Sequence, residues 1–412
     1  MSKFECLASY NWLSRDEATI VVPGSPAKWA PPTPPRKLPP DAGRVFIDQN
    51  AARSPASPMA PMFLALYEQR PDLVLDEVDV VICRNSMSKL LDFVSGRVKA
   101  WEMEVEMVGD KAVFVRKEAR ATEMIDGFRG FGHTFPEEYT TWDRDVRGSS
   151  SHHRVARYEL AGWTYLVRFE CAAYLPEKLG TTRRASFRSS PNAGGDDPAV
   201  ALRGAADLMT IGEQEPGTGG GLALRRCGRA IDQGATVEIK TRAAHKRLEL
   251  SSVLPRLWIS QIPNLIVAYH KAGRFDEVQV SEIRAELDAW EAANGVNLSK
   301  LDTLIRRIVE TIGNTVAMKG RICVTPNGTL QIYALDVGHP SVLPDDLARK
   351  LREDGDVGYE RGEHLRDAYD DDDDHFDRDD FGDEEGSPKD FTACSSSGCG
   401  FCGHCDYEDD DD

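Results

Sequence analysis

At 412 residues the chain has material for one large domain or two ordinary ones, and an apolar content of 41% suits a folded body diluted by segments that do not pack. The formal net charge of −18 is concentrated: residues 353–412 carry 24 acidic and 4 basic side chains, a net of −20, which leaves the body at +2. Whole-chain acidity therefore does not exclude an anionic partner for the body, whereas the lack of any span-length apolar run, or of a signal-peptide core in residues 1–11, excludes a membrane reading and predicts an intracellular protein of the nucleus or cytoplasm.

In chain order, residues 1–40 read as a proline-rich extended arm, because the run P-P-T-P-P-R-K-L-P-P removes donors and fixes φ; Tyr10, Trp12 and Trp29 are its means of resting on the body. Residues 41–345 form the body. Phe63 to Gln69 predicts a short helix. Asp79 to Cys83 predicts a strand, followed by a helix capped at Asn85 or Ser86 and stopped by Gly96. Trp101 to Val108 and Lys111 to Lys117 flank Gly109-Asp110 as a hairpin. His153 to Leu160 and Thr164 to Ala172 do the same around Ala161-Gly162. Ser149 to Ser151 and His152-His153 invite a nucleophile reading, but no Gly-x-Ser-x-Gly elbow is present, so a loop and hairpin start are expected. Residues 175–234, rich in Gly, Ser, Arg and Asp, read as a disordered insertion with a short helix near Ala199 to Met209.

Beyond it, Ser251 to Ile259 looks helical and Leu265 to Tyr269 looks like a buried strand. Ser281 is expected to open a helix through Ile283, Leu287 and Trp290. Leu298, Leu301, Leu304, Ile305, Ile308 and Ile312 recur at helical spacing. Arg321 to Thr325 and Thr329 to Leu335 make a third hairpin. Hairpins and helices without regular βαβ units predict an α+β fold: a mixed central sheet with hairpins and flanking helices. Residues 346–412 are expected to be an acidic tail.

The stretch that carries chemistry is Ala235 to Ala243. Val237 and Ile239 alternate with Glu238 and Lys240, so a carboxylate and an ammonium share one strand face. With a carboxylate from a neighbouring strand, such a pair holds Mg²⁺ or Mn²⁺ and steers a water at a phosphodiester; standing alone it is the ordinary solvated face of a strand.

Other segments add to it. Arg84 to Leu91, R-N-S-M-S-K-L-L, resembles the first motif of the eukaryotic decapping exoribonucleases, phosphodiesterases and pyrophosphohydrolases of RNA 5′ ends with a PD-(D/E)xK-like nuclease fold. Gly132 to Phe135 resembles the second motif, and Phe169-Glu170-Cys171-Ala172 the third. Glu238-Ile239-Lys240 is similar to Glu-φ-Lys. Leu254 to Tyr269, with Trp258, Gln261, Pro263 and Ile266, resembles the helix and strand that follow it. The likeness runs from about Ala42 to Leu335, and its specificity lies in five short motifs in order. It implies Glu170 and Glu238 on adjacent strands around the metal, Lys240 near the attacking water, and Arg84 and Gln261 on the phosphate. Without a metal site, Arg84 pairs with a buried carboxylate, Gln261 bonds backbone, and Glu170 and Lys240 make a cross-strand ion pair.

The sequence departs from the pattern twice. Pro136 stands where the second motif has a glutamate, although Glu137 follows, and Ala172 stands where the third has an aspartate. The expectation is a decapping-nuclease-like protein that acts on or binds RNA 5′ ends with a partly eroded metal site, to which Glu137, Glu170 and Glu238 contribute. The alternative is a non-catalytic descendant that binds RNA or a protein partner. The sequence does not fix an oligomeric state.

Two features lie in the tail. Cys394, Cys399, Cys402 and Cys405, separated by glycines, have spacing that can wrap Zn²⁺, against a flexible tail that binds metal only adventitiously. Asp370 to Asp374 and Asp377 to Glu385 are acidic. An Asp-rich motif is the metal site of prenyl synthases, and fungal proteins resembling this chain often carry a geranylgeranyl diphosphate synthase label. Here the run lacks an apolar helical period, so a solvated tail is the better reading.

Overall fold

A computed structural model describes residues 1–42, 45–46, 48–97, 99–117, 124–125, 130–180 and 221–353. Two mixed sheets form the body. The ten-stranded sheet runs Ala223–Gly228, Thr19–Gly24, Ser2–Leu13, Ser149–Leu160, Trp163–Glu170, Val80–Cys83, Lys111–Lys117, Trp101–Val108, Lys319–Val324 and Leu330–Ala334. The seven-stranded sheet runs Thr140–Thr141, Ala27–Trp29, Ala173–Tyr174, Thr236–Ala243, Asn264–Lys271, Arg274–Glu282 and Arg36–Lys37. The α+β expectation and the three hairpins stand. Gly162 at φ +81° and Gly109 at φ +66° supply the left-handed backbone two of those turns need.

Each face of the large sheet has its own apolar layer. On one, Arg84–Val94, Leu254–Ser260, Arg284–Ala293 and Gly295–Gly313 pack Leu90, Leu257, Trp258, Ile305 and Ile308 against Ile82, Tyr158 and Val167. On the other, Ala60–Gln69 and Asp345–Glu353 cover Tyr10, Trp12, Val155 and Leu166. The small sheet is backed by Thr134–Tyr139, whose Phe135 and Tyr139 stack at 3.9 Å against Trp29 and Phe275.

Several boundaries differ from the sequence reading. Residues 1–40 are extended but not an arm. Ser2–Leu13 lies inside the large sheet, antiparallel to both Ser149–Leu160 and Thr19–Gly24. Tyr10 and Trp12 are fully buried, and both donate to Asn50 Oδ1, at 2.7 and 3.0 Å. Burying side chains of this size stabilises the fold by about 1.5–3 kcal/mol each, which outweighs the disorder tendency of the proline run downstream. Residues 175–180 and 221–234 of the expected insertion are ordered parts of the body. Ala223–Gly228 is an edge strand parallel to Thr19–Gly24, and Gly228 is needed there because a Cβ would fall 2.5 Å from the Gly24 carbonyl carbon. Ala199 to Met209 lies outside the described residues.

Ser149 to His153 belong to a strand rather than a loop. Cys83, not Asn85 or Ser86, caps Arg84–Val94, its Sγ accepting from Ser86 N at 3.5 Å. Ser281 ends the strand Arg274–Glu282 instead of opening a helix; the next helix begins at Arg284. The body runs past residue 345, since Leu347, Ala348 and Leu351 are buried. The remainder of the acidic tail is outside the described residues, and among the described residues no helix is long and apolar enough to cross a membrane.

Deleting residues 1–13 tests the correction to the N-terminal segment. An accessory arm would come off with little change in stability. An internal strand takes Tyr10 and Trp12 with it and leaves each of its two neighbours with an unpaired edge, so the truncated chain is expected to lose its cooperative thermal transition by circular dichroism.

Candidate functional site

The chain passes from one sheet to the other at Cys171-Ala172. Trp163–Glu170 ends the large-sheet segment, and Ala173–Tyr174 pairs with Thr236–Ala243 in the small sheet, Ala173 opposite Val237. This crossover brings Glu170, at a strand end, near Glu238, one position beyond Val237. Val80–Cys83 runs parallel to Trp163–Glu170 and delivers Arg84 at the first turn of its helix to the same place. The two glutamates thus belong to different sheets joined by a short crossover, rather than to adjacent strands.

Val237 and Ile239 pack among Phe135, Tyr139 and Ile266, so Glu238 and Lys240 take the other face. Lys240 Nζ lies 3.1 Å from Glu238 Oε1, and Arg84 Nη1 lies 3.7 Å from Glu238 Oε2, all three side chains being at least nine-tenths buried. Burial alone would raise the Glu238 pKa, but Lys240, Arg84 and Arg256 outweigh it and hold the carboxyl at about 2. Burial, joined by the charge of Arg256, pushes Arg84 down to about 10, against the pull of Glu238 and Glu170. Glu170 differs from both. Its side chain is open to the cavity, yet the walls around it displace enough water to raise its pKa, with Arg84 and Arg256 opposing and Glu238 reinforcing.

These groups line a cavity of about 620 Å³ between the sheets. Arg53, Arg84, Arg116, Arg168, Lys240 and Arg256 reach it, against the carboxylates of Asp48, Glu137, Glu170 and Glu238. Positive charge is therefore in excess. Arg84 Nη1 is buried and has no hydrogen-bond acceptor. At the other end, Asp48 accepts from Asn50 N and Ala51 N at 2.9 and 3.2 Å; burial would raise its pKa, but Arg116, Arg168 and those N–H groups lower it. His153 stacks on Tyr10 at 5.0 Å with Ser151 Oγ 3.2 Å from its Nε2.

Of the residues singled out in the sequence, Arg84, Glu170, Glu238, Lys240 and Glu137 line this cavity. Gln261 does not. It ends the helix Leu254–Ser260 in the left-handed region, and its Nε2 donates to Trp258 O at 2.7 Å, a backbone cap in place of a phosphate contact. Arg256 on that helix faces the cavity instead. It was legible as the single charged residue of L-P-R-L-W-I-S, but an apolar helix reads first as core. Asp48, Arg116 and Arg168 carried no local signal, since segments remote in sequence assemble them, and His153 drew notice only as a nucleophile candidate beside Ser149 to Ser151.

The Mg²⁺ or Mn²⁺ implied by the resemblance meets an unsuitable donor set. A hard dication needs several converging oxygens. Glu238 commits both oxygens to cations, Ala172 and Pro136 have no side-chain oxygen to offer, and burial pushes the Cys171 thiol up to about 12. Among the described residues no three His, Cys, Asp or Glu side chains come together as a metal site. Cys394, Cys399, Cys402 and Cys405, proposed for Zn²⁺, lie outside the described residues.

The crossover between two mixed sheets, with a helix opened by an arginine and a Glu-x-Lys strand facing it, belongs to a fold that this chain shares with solved Rai1 structures. Scheffersomyces stipitis Rai1 in complex with (3′-NADP)⁺ and calcium ion has a TM-score of 0.51 at 10% identity over 85% of this chain and 96% of that one. A second structure of Scheffersomyces stipitis Rai1 gives 0.50 at 9%, over 85% and 97%. Rai1 of S. pombe gives 0.49 at 12%, over 81% and 94%. At such identities the likeness is one of fold. By sequence, residues 1–352 match the domain of unknown function DUF8563, and the chain belongs to that family. Comparison with curated proteins returns no match.

Burial, with Arg168 adding to it, pushes His153 down to about 3, from an ordinary value of 6.5. The unfolded chain therefore takes up the proton first. The stability this histidine contributes is fully present above pH 6.5 and is lost as pH falls towards 3, at up to about 1.4 kcal/mol per pH unit. The slope of unfolding free energy between pH 6 and 4, measured with urea, is expected to be shallower in His153→Gln; equal slopes would contradict a buried neutral imidazole.

Proposed function

We propose that the chain binds the 5′ end of RNA in this cavity, terminal phosphate inward against Arg84, Lys240 and Arg256, on a decapping-nuclease fold whose hydrolytic site is partly eroded. The observation that carries the reading is the buried Arg84 Nη1, which lines a cation-rich cavity without a hydrogen-bond acceptor. A guanidinium in that state is suited to a phosphate oxygen, and the neighbouring cations suit the charge. Scheffersomyces stipitis Rai1 has been seen in complex with (3′-NADP)⁺ and calcium ion; for this chain RNA is the proposal.

A metal-dependent RNA 5′-end hydrolase is the second reading. It is favoured by Glu137, which is exposed on the cavity wall one residue after Pro136. In that case Glu137 joins Glu170 and Glu238 only after Lys240 or Arg84 has left Glu238. A non-catalytic protein-binding role has no comparable observation behind it.

Two assays separate the readings. In the first, 5′-monophosphate RNA binds the wild-type chain, and Arg84→Met lowers the affinity by about tenfold or more, the worth of a charge-assisted contact. In the second, capped, 5′-triphosphorylated and 5′-monophosphate RNA are incubated with Mn²⁺ or Mg²⁺, and no turnover is expected. Turnover that Glu238→Ala abolishes would reinstate the hydrolase.

A further inference from the structure

We infer that the cavity takes a terminal phosphomonoester directly on arginine and lysine nitrogens, with no divalent cation between protein and phosphate, and that Glu170 opposes this binding. The inference rests on the reading of the RNA 5′ end as ligand and adds how its phosphate is recognised.

Charge on the wall decides the matter. Over the whole cavity six cations face four carboxylates; beside Glu170, Arg84, Lys240 and Arg256 face Glu137, Glu170 and Glu238, and Glu238 is already matched by Lys240 at 3.1 Å and Arg84 at 3.7 Å. A dication entering the cavity adds charge of the sign already in excess across it, and it gains Glu238 only by displacing one of those cations. A phosphate dianion relieves the excess. It also supplies a hydrogen-bond acceptor to Arg84 Nη1, which otherwise has the Glu238 carboxylate only at 3.7 Å. The two ligands thus make opposite demands, and the observed pairing of Glu238 meets only the second.

Glu170 then has the reverse of a metal ligand's role. It is exposed in the cavity, on the same lining as Arg84 and Arg256. An approaching phosphate meets its negative charge at close range. Replacing the carboxylate with an amide of equal volume removes the repulsion and offers an N–H donor. If a metal bridged Glu170 to the phosphate, the same change would remove a ligand. Glu170→Gln therefore moves affinity in opposite directions under the two accounts.

The test is fluorescence anisotropy of the full chain with a short 5′-phosphorylated RNA and its 5′-hydroxyl twin, in EDTA and in Mn²⁺. Equal affinity for the phosphorylated RNA in both media is expected. The 5′-hydroxyl RNA should bind about tenfold more weakly, and Glu170→Gln should bind the phosphorylated RNA about threefold or more tightly. Arg256→Met should weaken it. Binding that appears only with Mn²⁺, or that Glu170→Gln abolishes, would overturn the metal-free inference while leaving the RNA 5′-end reading intact. Failure of wild-type chain to bind either RNA in either medium would overturn that reading and the inference with it. The EDTA comparison needs no variant, so a folding defect in Glu170→Gln would not leave the question open.

Discussion

Glu238, held between Lys240 and Arg84, is the interaction on which the centre of the molecule depends. Three charged side chains sit almost wholly out of water where the two sheets meet, and each is tolerable only because the others are there. Removing one partner of a buried pair costs about 3–5 kcal/mol, since the remaining charge is left unsolvated. The triad therefore fixes the small sheet's strand Thr236–Ala243 against the helix that leaves Val80–Cys83. Glu170 enters the same space only because the chain changes sheets at Cys171-Ala172.

Everything around the triad holds those segments in register. The strand Ser2–Leu13 anchors Ser149–Leu160, which in turn pairs with Trp163–Glu170, so the N-terminal segment sets the position of Glu170 from two strands away. Asn50 ties Tyr10 and Trp12 to the helix capped by Asp48, and Asp48 balances Arg116 and Arg168 at the far end of the cavity. The apolar layers on both faces of the large sheet exclude water from all of this. The cavity is what remains open, and its walls carry more cations than carboxylates. On the proposed reading the fold keeps cations where a phosphate would sit, with Pro136 and Ala172 where the decapping motifs have carboxylates.

What the sequence disclosed and withheld follows the range of the interactions. Val108–Lys111 and Leu160–Trp163 closures were readable because turn residues and alternation lie within a few positions of each other. The period of Leu298, Leu301, Ile305, Ile308 and Ile312 was readable for the same reason. Ser2–Leu13 was missed because its partner strand begins at Ser149, and the prolines between argued for an arm. Ala223–Gly228 was missed because its partner is Thr19–Gly24. Arg274–Glu282 buries little besides Phe275, so its pattern did not read as a strand. At the site, Arg84, Glu170, Glu238 and Lys240 were found through short motifs in order. Gln261 bonds the end of the helix Leu254–Ser260, while Arg256 on that helix lines the cavity.

The measurement that tests the central claim most directly is a crystal structure of the chain with a 5′-phosphorylated RNA oligonucleotide in the presence of Mn²⁺, with anomalous data to locate manganese. The account predicts the terminal phosphate within hydrogen-bond distance of Arg84, Lys240 and Arg256, Glu238 still paired with Lys240, and no anomalous peak on Glu170 or Glu238. A manganese peak bridging those two carboxylates, with Lys240 or Arg84 displaced from Glu238, would contradict it.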